Sequence, residues 1–300
     1  MKKSKPKTET SKFGVSKREN HDSTLFYGRK LYQDPNINEK EEEKETTIPL
    51  KILDKILCQD SRNMGNIPDS SVHLMITSPP YNVGKEYDRD LDLDAYLDLL
   101  LKVFAETYRV LVLGGRVCVN IANVGRKPYI PFHKFIIDIM QEIGFLMRGE
   151  IIWNKAAGAG SSTAWGSWKS ATNPTLRDVH EYILVFSKGK FSRQKKEKVN
   201  TIKRDEFLEY TKSIWNFSPE SAKKVGHPAP FPIELPYRCI QLYTFQNDVV
   251  LDPFCGAGTT CLAAIKSNRH FIGLDIDTKY VTQAKKRTKN ELYDTFDNLA

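Results

Sequence analysis

The segment VVLDPFCGAGTTCLAA (residues 249–264) contains an apolar run, a turn with two glycines and the start of a helical stretch. Asp252 ends the apolar run, and Gly256 and Gly258 permit a tight turn that a ligand can approach closely. Cys261 occupies the place of the third glycine of a dinucleotide fingerprint, and the lysine of a P-loop is absent. We therefore predict a strand–turn–helix unit that binds a small ligand without a pyrophosphate.

Asp275 lies seventeen residues after Gly258, at the end of the next apolar run. In dinucleotide-binding folds a carboxylate at this place accepts hydrogen bonds from the ribose hydroxyls. The alternative is that the glycines only form a strand–helix turn and that Asp275 only caps the next helix. The strand, both acids and the Gly-Thr-Thr sequence together favour a nucleoside-like ligand.

Outward from this unit, apolar runs alternate with helical periodicity from about residue 48 onward. Strands are predicted at 56–58, 72–76, 116–121, 150–153, 180–186, 248–251 and 270–274. Helices are predicted at 96–111 (stopped by Gly114-Gly115), 131–142, 205–215, 259–266 and 278–289. This alternation predicts an α/β fold with a mostly parallel sheet covered on both faces. Ligands of such sheets bind beyond the carboxyl ends of the strands, here after Ile76, Leu251 and Leu274.

Composition limits the classes of partner. The 300 residues carry a net charge of +8, which favours nucleic acid, with a membrane surface or plain solubility as alternatives. No apolar run is long enough to span a membrane, and no apolar region follows the basic amino terminus as in a secretory signal. The five cysteines show no paired spacing, which predicts reduced thiols in the cytoplasm and no metal site.

Two further motifs lie within the alternating part of the chain, TSPPY (77–81) and HPAPFPIELPYRCI (227–240). TSPPY resembles the catalytic motif of DNA methyltransferases that methylate exocyclic amino groups. DPFCGAGTT (252–260) resembles their S-adenosyl-L-methionine loop, and the third segment is similar to the helix motif preceding that loop. The catalytic motif comes about 170 residues before the cofactor loop, which is the circularly permuted order of the beta group.

The resemblance covers about residues 48–292 and implies a Rossmann-like, mixed seven-stranded sheet with helices on both faces. Residues 1–47 are predicted to be a mobile arm, and 293–300 a tail. The residues implied to bind S-adenosyl-L-methionine are Asp60, Thr77, Asp252, Pro253, Phe254, Gly256, Gly258, Thr259 and Asp275. Many relatives have a lysine where this chain has Phe231, which puts one charge contact near the cofactor carboxylate in doubt.

By the same resemblance, Ser78, Pro79, Pro80 and Tyr81 form the catalytic motif. The Ser78 hydroxyl and the Pro79 carbonyl can accept hydrogen bonds from an exocyclic amino group, and Tyr81 offers a stacking face to a base taken out of the duplex. Serine at this position occurs mostly in cytosine-N4 enzymes, and aspartate or asparagine mostly in adenine-N6 enzymes. Cytosine-N4 is therefore preferred, with adenine-N6 as the alternative.

Double-stranded DNA is the predicted partner, and residues 155–179 and 188–226 are candidate target-recognition insertions. The basic run in the second insertion is predicted to contact phosphates through Lys188, Lys190, Arg193, Lys195, Lys196 and Lys198. A solvated loop is the simpler interpretation of that run. Other open alternatives are an RNA or protein-amide substrate, and a catalytically silent nucleic-acid-binding protein.

The resemblance also suggests a setting for the enzyme. It is expected to be a monomer or homodimer in the cytoplasm of a prokaryotic cell. A cognate restriction endonuclease is a possible functional partner.

Overall fold

The computed structural model describes residues 27–32, 37, 43–81, 91–155, 166–220 and 231–297, with residues 292–297 described by their backbone alone. The chain divides into two compact units, residues 1–38 and 39–300. In the described part of the first unit, Lys30–Tyr32 forms a short 3-10 helix, and the ring of Tyr27 packs edge-on against Tyr32. Within the described ranges, no helix has the length and apolar character needed to cross a membrane.

The predicted boundary between the amino-terminal arm and the folded domain lies at residue 47, but the larger unit begins earlier, at residue 39. The backbone N–H of Thr46 donates to the carbonyl of Ser70 at 2.8 Å, and Glu45 forms an ion pair with Lys198 at 3.0 Å. Residues 43–47 are therefore attached to the folded body. Most of the predicted arm, and residues 298–300 of the predicted tail, lie outside the described residues.

The larger unit contains alternating strands and helices. The strands are β1 (Lys55–Cys58), β2 (Val72–Thr77), β3 (Leu111–Ile121), β4 (Val124–Gly125), β5 (Tyr129–Ile130), β6 (Phe145–Asn154), β7 (His180–Lys188), β8 (Ile214–Asn216), β9 (Val249–Asp252) and β10 (His270–Asp275). The helices are α1 (Leu93–Val110), α2 (Phe132–Ile143), α3 (Arg204–Tyr210), α4 (Glu234–Tyr243), α5 (Thr259–Lys266) and α6 (Thr278–Asp297).

Eight of the described strands form one mixed sheet in the order β1-β10-β9-β2-β3-β7-β6-β8. Strand β7 is antiparallel to both of its neighbours, and the other pairs are parallel. The mixed sheet is confirmed, but it has eight strands rather than seven. The additional strand is β8, which lies in the predicted insertion 188–226 and buries Trp215 opposite Trp153 of β6.

Helices cover both faces of the sheet, as predicted. In β2, Met75 belongs to the apolar core that α1 and α2 complete, whereas Leu74 and Ile76 belong to the core formed with α4, α5 and α6. This alternation is the two-residue period of a strand that is buried on both sides.

Helix α1 begins at Leu93, three residues before the predicted start at 96, and ends at Val110, one residue before the predicted end at 111. Asp92 caps it by accepting from the backbone N–H of Ala95 at 2.8 Å. The helix ends at Val110 because Leu111 already pairs with Val72 as the first residue of β3. Gly114 and Gly115 therefore lie within that strand and do not stop the helix.

Candidate active site

The catalytic motif and the cofactor loop follow neighbouring parallel strands. In the register between β2 and β9, Met75 lies opposite Leu251, so both strands end at the same edge of the sheet. The Thr77 hydroxyl donates to Asp252 Oδ1 at 2.7 Å and joins the two strand ends. TSPPY and the loop after Leu251 therefore lie side by side at the carboxyl edge, where ligands of such sheets are expected.

A cavity of about 640 Å³ opens at this edge. Its lining includes nine of the predicted site residues: Asp60, Ser78, Pro79, Pro80, Tyr81, Pro253, Phe254, Gly256 and Asp275. It has the size and the mixture of apolar walls with a few polar groups that are typical of small-molecule sites.

Four of the predicted cofactor contacts lie outside the cavity lining: Thr77, Asp252, Gly258 and Thr259. Asp252 is only 1% exposed, and its second oxygen accepts from the Thr260 hydroxyl at 2.6 Å. Burial raises the pKa of this carboxyl to about 6, although the hydrogen bonds from Thr260 and Thr77 oppose the change. Asp252 therefore supports the cavity wall from behind.

Gly258 has a packing role in addition to the predicted one. It is the N-cap of α5 in the left-handed region (φ 78°), and a β-carbon at this position would lie 2.9 Å from the Ala284 β-carbon of α6. A glycine is required here because a neighbouring helix approaches closely.

Asp275 reaches across the turn to the cofactor loop. Its Oδ2 accepts from the backbone N–H of Gly256 at 2.9 Å, and its Oδ1 accepts from the N–H of Asp277 at 2.9 Å. Burial raises the pKa of this carboxyl, and the backbone hydrogen bonds oppose the shift. Each oxygen keeps a lone pair for another donor, so the geometry suits the predicted acceptor of ribose hydroxyls.

On the other side of the cavity, Asp60 is held by Arg62. The Arg62 Nη2 lies 2.5 Å from Asp60 Oδ2, and both side chains are about two-fifths exposed, 41% and 39%. Next to them, the Ser61 hydroxyl donates to the carbonyl of Pro253 at 2.6 Å. The segment after β1 is thereby fixed to the loop after β9.

The catalytic motif is part of a polar chain that runs into the sheet. Ser78 Oγ lies 3.3 Å from the Tyr81 hydroxyl, which donates to Glu181 Oε2 at 3.2 Å. Asn120 Nδ2 donates to the same Glu181 oxygen at 2.6 Å, and Lys155 Nζ lies 2.5 Å from Glu181 Oε1. Burial, followed by the nearby Glu181 charge, raises the pKa of Tyr81, so its hydroxyl stays protonated.

Sequence reasoning missed three of these polar residues as functional: Asn120, Lys155 and Glu181. From sequence, His180-Glu181 looks only like the flank of an ion-paired strand edge. Each of the three residues lies where a strand meets the carboxyl edge of the sheet, and this position could have identified them. It can be recognised only when β7 is known to be antiparallel.

The basic run lies at the opposite edge of the sheet, after the last residue of β7. Lys188 is 7% exposed and donates to the carbonyl of Leu111 at 2.7 Å, while Arg193 Nη1 donates to Asp248 Oδ2 at 2.6 Å. The predicted phosphate contacts of these two residues are wrong, because both charges are neutralised inside the protein. Lys198 is also paired, with Glu45 and Asp248.

The remaining lysines of the run, Lys190, Lys195 and Lys196, lie on the same side of the molecule. Lys195 and Lys196 are exposed, and Lys190 is half-buried. Their phosphate contacts stay a prediction.

The fold agrees with the comparisons to known proteins. The model of the DNA methylase family, the N6/N4 methyltransferases, matches residues 72–286, and the chain belongs to this family. It is 32% identical over 275 residues to the type II methyltransferase M.MjaI of Methanocaldococcus jannaschii, covering 77% of this chain and 89% of that one. The type II methyltransferase M.MthZI of Methanothermobacter thermautotrophicus is 28% identical over 279 residues, covering 81% of this chain and 78% of its own.

Solved structures give the same result. The putative DNA modification methylase TTHA0409 of Thermus thermophilus, in complex with S-adenosyl-L-methionine, superposes with a TM-score of 0.64 at 30% identity, covering 79% of this chain and 95% of that one. The cytosine-N4-specific PvuII DNA methyltransferase superposes with a TM-score of 0.62 over 77% of this chain and 84% of that one; at 21% identity it supports the fold alone.

The protein is an S-adenosyl-L-methionine-dependent DNA methyltransferase, and its cavity fits that cofactor. Asp275 supplies acceptors for hydroxyl groups, while Phe254 and Ile276 supply apolar surface. The cofactor, when bound, contributes an electrophilic methyl group.

Proposed function

We propose that the protein methylates the exocyclic N4 amino group of a cytosine flipped out of duplex DNA, at a specific sequence. The observation that carries this proposal is Ser78. It presents a neutral hydroxyl, not an acid, to the cavity beside the cofactor loop. Hydrogen bonds from the amino group to Ser78 and to the Pro79 carbonyl would aim the nitrogen lone pair at the methyl group, so catalysis rests on positioning.

We further propose that the enzyme works in a type II restriction–modification system in the cytoplasm of a prokaryotic cell. The names of its relatives M.MjaI and M.MthZI support this setting. A partner endonuclease and a monomeric or homodimeric state belong to the same proposal.

DNA contacts are proposed for the carboxyl edge, where the loop before β7 lies. Trp168 is 63% exposed in this loop. The loop is tied to the β4–β5 turn by an ion pair between Arg126 and Asp178 at 2.7 Å. Residues 166–179 of the predicted insertion 155–179 lead into β7, whose second residue, Glu181, lines the cavity, so we propose that the base enters from this side.

The test is transfer of tritiated methyl groups from S-adenosyl-L-methionine to DNA of a modification-free host, followed by nucleoside analysis. N4-methylcytosine is expected. N6-methyladenine as the sole product would overturn the choice of base, and no incorporation under conditions where the cofactor binds would overturn the proposed substrate.

A further inference from the structure

Glu181 lies at the active-site edge of the sheet, where its neighbours hold it in place. Because β7 runs antiparallel to β3, its second residue lies at the edge where β2 ends, opposite Trp153 of β6. The Glu181 side chain is 12% exposed and lines the cavity. A carboxylate in such a place is costly unless it is paired and hydrogen-bonded.

Both oxygens of this carboxylate are held. Lys155 Nζ lies 2.5 Å from Oε1, and Asn120 Nδ2 donates to Oε2 at 2.6 Å. The Glu181 carboxylate also orients the Asn120 amide, because the amide oxygen would be repelled by the carboxylate if it were turned toward it. The ion pair keeps Glu181 as a fixed group that only accepts hydrogen bonds.

The acceptor-only character of Glu181 sets the direction of the next bond. The Tyr81 hydroxyl lies 3.2 Å from Glu181 Oε2, so Tyr81 must donate its single proton to that oxygen. Burial keeps this proton in place, because it raises the pKa of Tyr81.

The direction of the Tyr81–Glu181 hydrogen bond also determines which hydroxyl donates in the contact between Ser78 and Tyr81. Tyr81 has no second proton to give, so in the 3.3 Å contact between the two hydroxyls Ser78 is the donor. Asn120 Nδ2, 3.5 Å from Ser78 Oγ, can only donate. With its own proton directed at Tyr81, Ser78 turns lone pairs toward the cavity.

We propose that Glu181 is a positioning residue that fixes the direction of the hydrogen-bond chain Ser78–Tyr81–Glu181 and thereby makes Ser78 an acceptor for the amino group of the target base. Lys155 and Asn120 hold Glu181 for this task. The inference rests on the proposed methylation of an exocyclic amino group. It goes beyond an ion pair between Glu181 and Lys155, which would leave the direction of the Ser78 hydroxyl unspecified.

The test is a double-mutant cycle with Glu181→Gln and Tyr81→Phe, measured as single-turnover methyl transfer to duplex DNA from a modification-free host. Each single variant is expected to slow transfer about 10- to 100-fold, the size of a hydrogen bond to a charged group. Cofactor affinity should change less than about twofold. The double variant should be no slower than the slower single variant, because both changes interrupt one chain.

Lys155→Met is the matched control, since it breaks the ion pair and leaves the chain from Ser78 to Glu181 intact. It is expected to slow transfer less than Glu181→Gln does. Equal slowing by these two variants, additive losses in the double variant, or an unchanged rate in Tyr81→Phe would each overturn the inference. Tyr81→Phe keeps the ring and the fold, so the test stands even where Glu181→Gln unfolds. An inactive wild-type enzyme would instead count against the proposed function.

Discussion

Two aspartates at opposite ends of one strand have opposite electrostatic surroundings. Asp248, just before β9, is paired with Arg193 at 2.6 Å and lies 3.5 Å from Lys198. Asp252, the last residue of β9, is bonded to the hydroxyls of Thr77 and Thr260 and to a backbone N–H. Burial would raise the pKa of Asp248, but Arg193 and His73 hold it below its usual value, whereas burial raises the pKa of Asp252 to about 6.

Charged groups have different roles at the two edges of the sheet. At the amino edge, acids pair with Lys188, Arg193 and Lys198 of the basic run and fix residues 43–47 to the body. At the carboxyl edge, neutral hydroxyls support the wall of the cavity that we propose for the cationic cofactor. The first edge contributes stability and the second contributes function, and each of the following changes tests that division.

Asp248→Ala is expected to have the largest effect, a loss of about 3–5 kcal/mol in the free energy of unfolding, because it leaves the buried Arg193 guanidinium without its main partner. Urea denaturation measures the change. Glu45→Ala is the control: its side chain is 49% exposed and the loss should stay below about 1 kcal/mol. Equal losses in the two variants would mean that the amino-edge cluster is not anchored by Asp248.

Asp252→Asn tests the carboxyl edge through pH. A carboxyl whose folded-state pKa is raised from 3.8 to about 6 stabilises the fold below pH 3.8, and this contribution is lost as the pH rises through 6. The wild type should therefore lose about 3 kcal/mol from this group between those values. Asparagine can still accept from Thr77 and donate to Thr260, so the variant should lack that part of the pH dependence. Identical pH profiles of unfolding would contradict the raised pKa.

The sequence predicts the features that local interactions determine and misses those that depend on residues far apart in the chain. Helix α5 is predicted with its observed bounds, and both motifs fall at strand ends, because local turn chemistry and apolar periodicity determine these features. The packing role of Gly258 is not predicted, because its close neighbour, Ala284, belongs to a helix that only the fold brings near. Glu181 escapes sequence reasoning because its meeting with Tyr81 spans one hundred residues. The basic run resembles a DNA contact because its counter-charges, Glu45 and Asp248, lie far away in the chain.

Asp275→Ala should weaken binding of S-adenosyl-L-methionine about 10- to 100-fold, the size expected for losing hydrogen bonds to a charged acceptor. Isothermal titration calorimetry measures the change. Asp277→Ala, at a neighbouring residue that also lines the cavity, is the matched control and should bind nearly as the wild type does. Unchanged affinity in Asp275→Ala would remove the proposed contact to the ribose.

Tyr81→Ala should slow methyl transfer more than Tyr81→Phe does, by a further factor that corresponds to about 1–3 kcal/mol, the value of one stacked base. Affinity for S-adenosyl-L-methionine should stay near that of the wild type, because the cofactor loop follows a different strand. Single-turnover rates and calorimetry separate the two quantities. Parallel losses of rate and affinity would make Tyr81 a structural residue that packs against the core.

The smallest effect is expected for Lys195→Ala and Lys196→Ala, alone or together. Both side chains are exposed, but they follow β7 at its far end, and residues 181 and 188 are separated by about 23 Å along that strand. DNA that delivers a base to Ser78 lies at the other edge, so affinity should fall less than about twofold at each residue.

Electrophoretic mobility shifts over a range of salt concentrations give the measurement, with Lys169→Ala in the loop before β7 as the comparison. If Lys195 or Lys196 did neutralise a phosphate, its removal would reduce the salt slope by about one per residue. That outcome would place DNA against the amino edge as well, and the division between a stabilising edge and a functional edge would no longer hold.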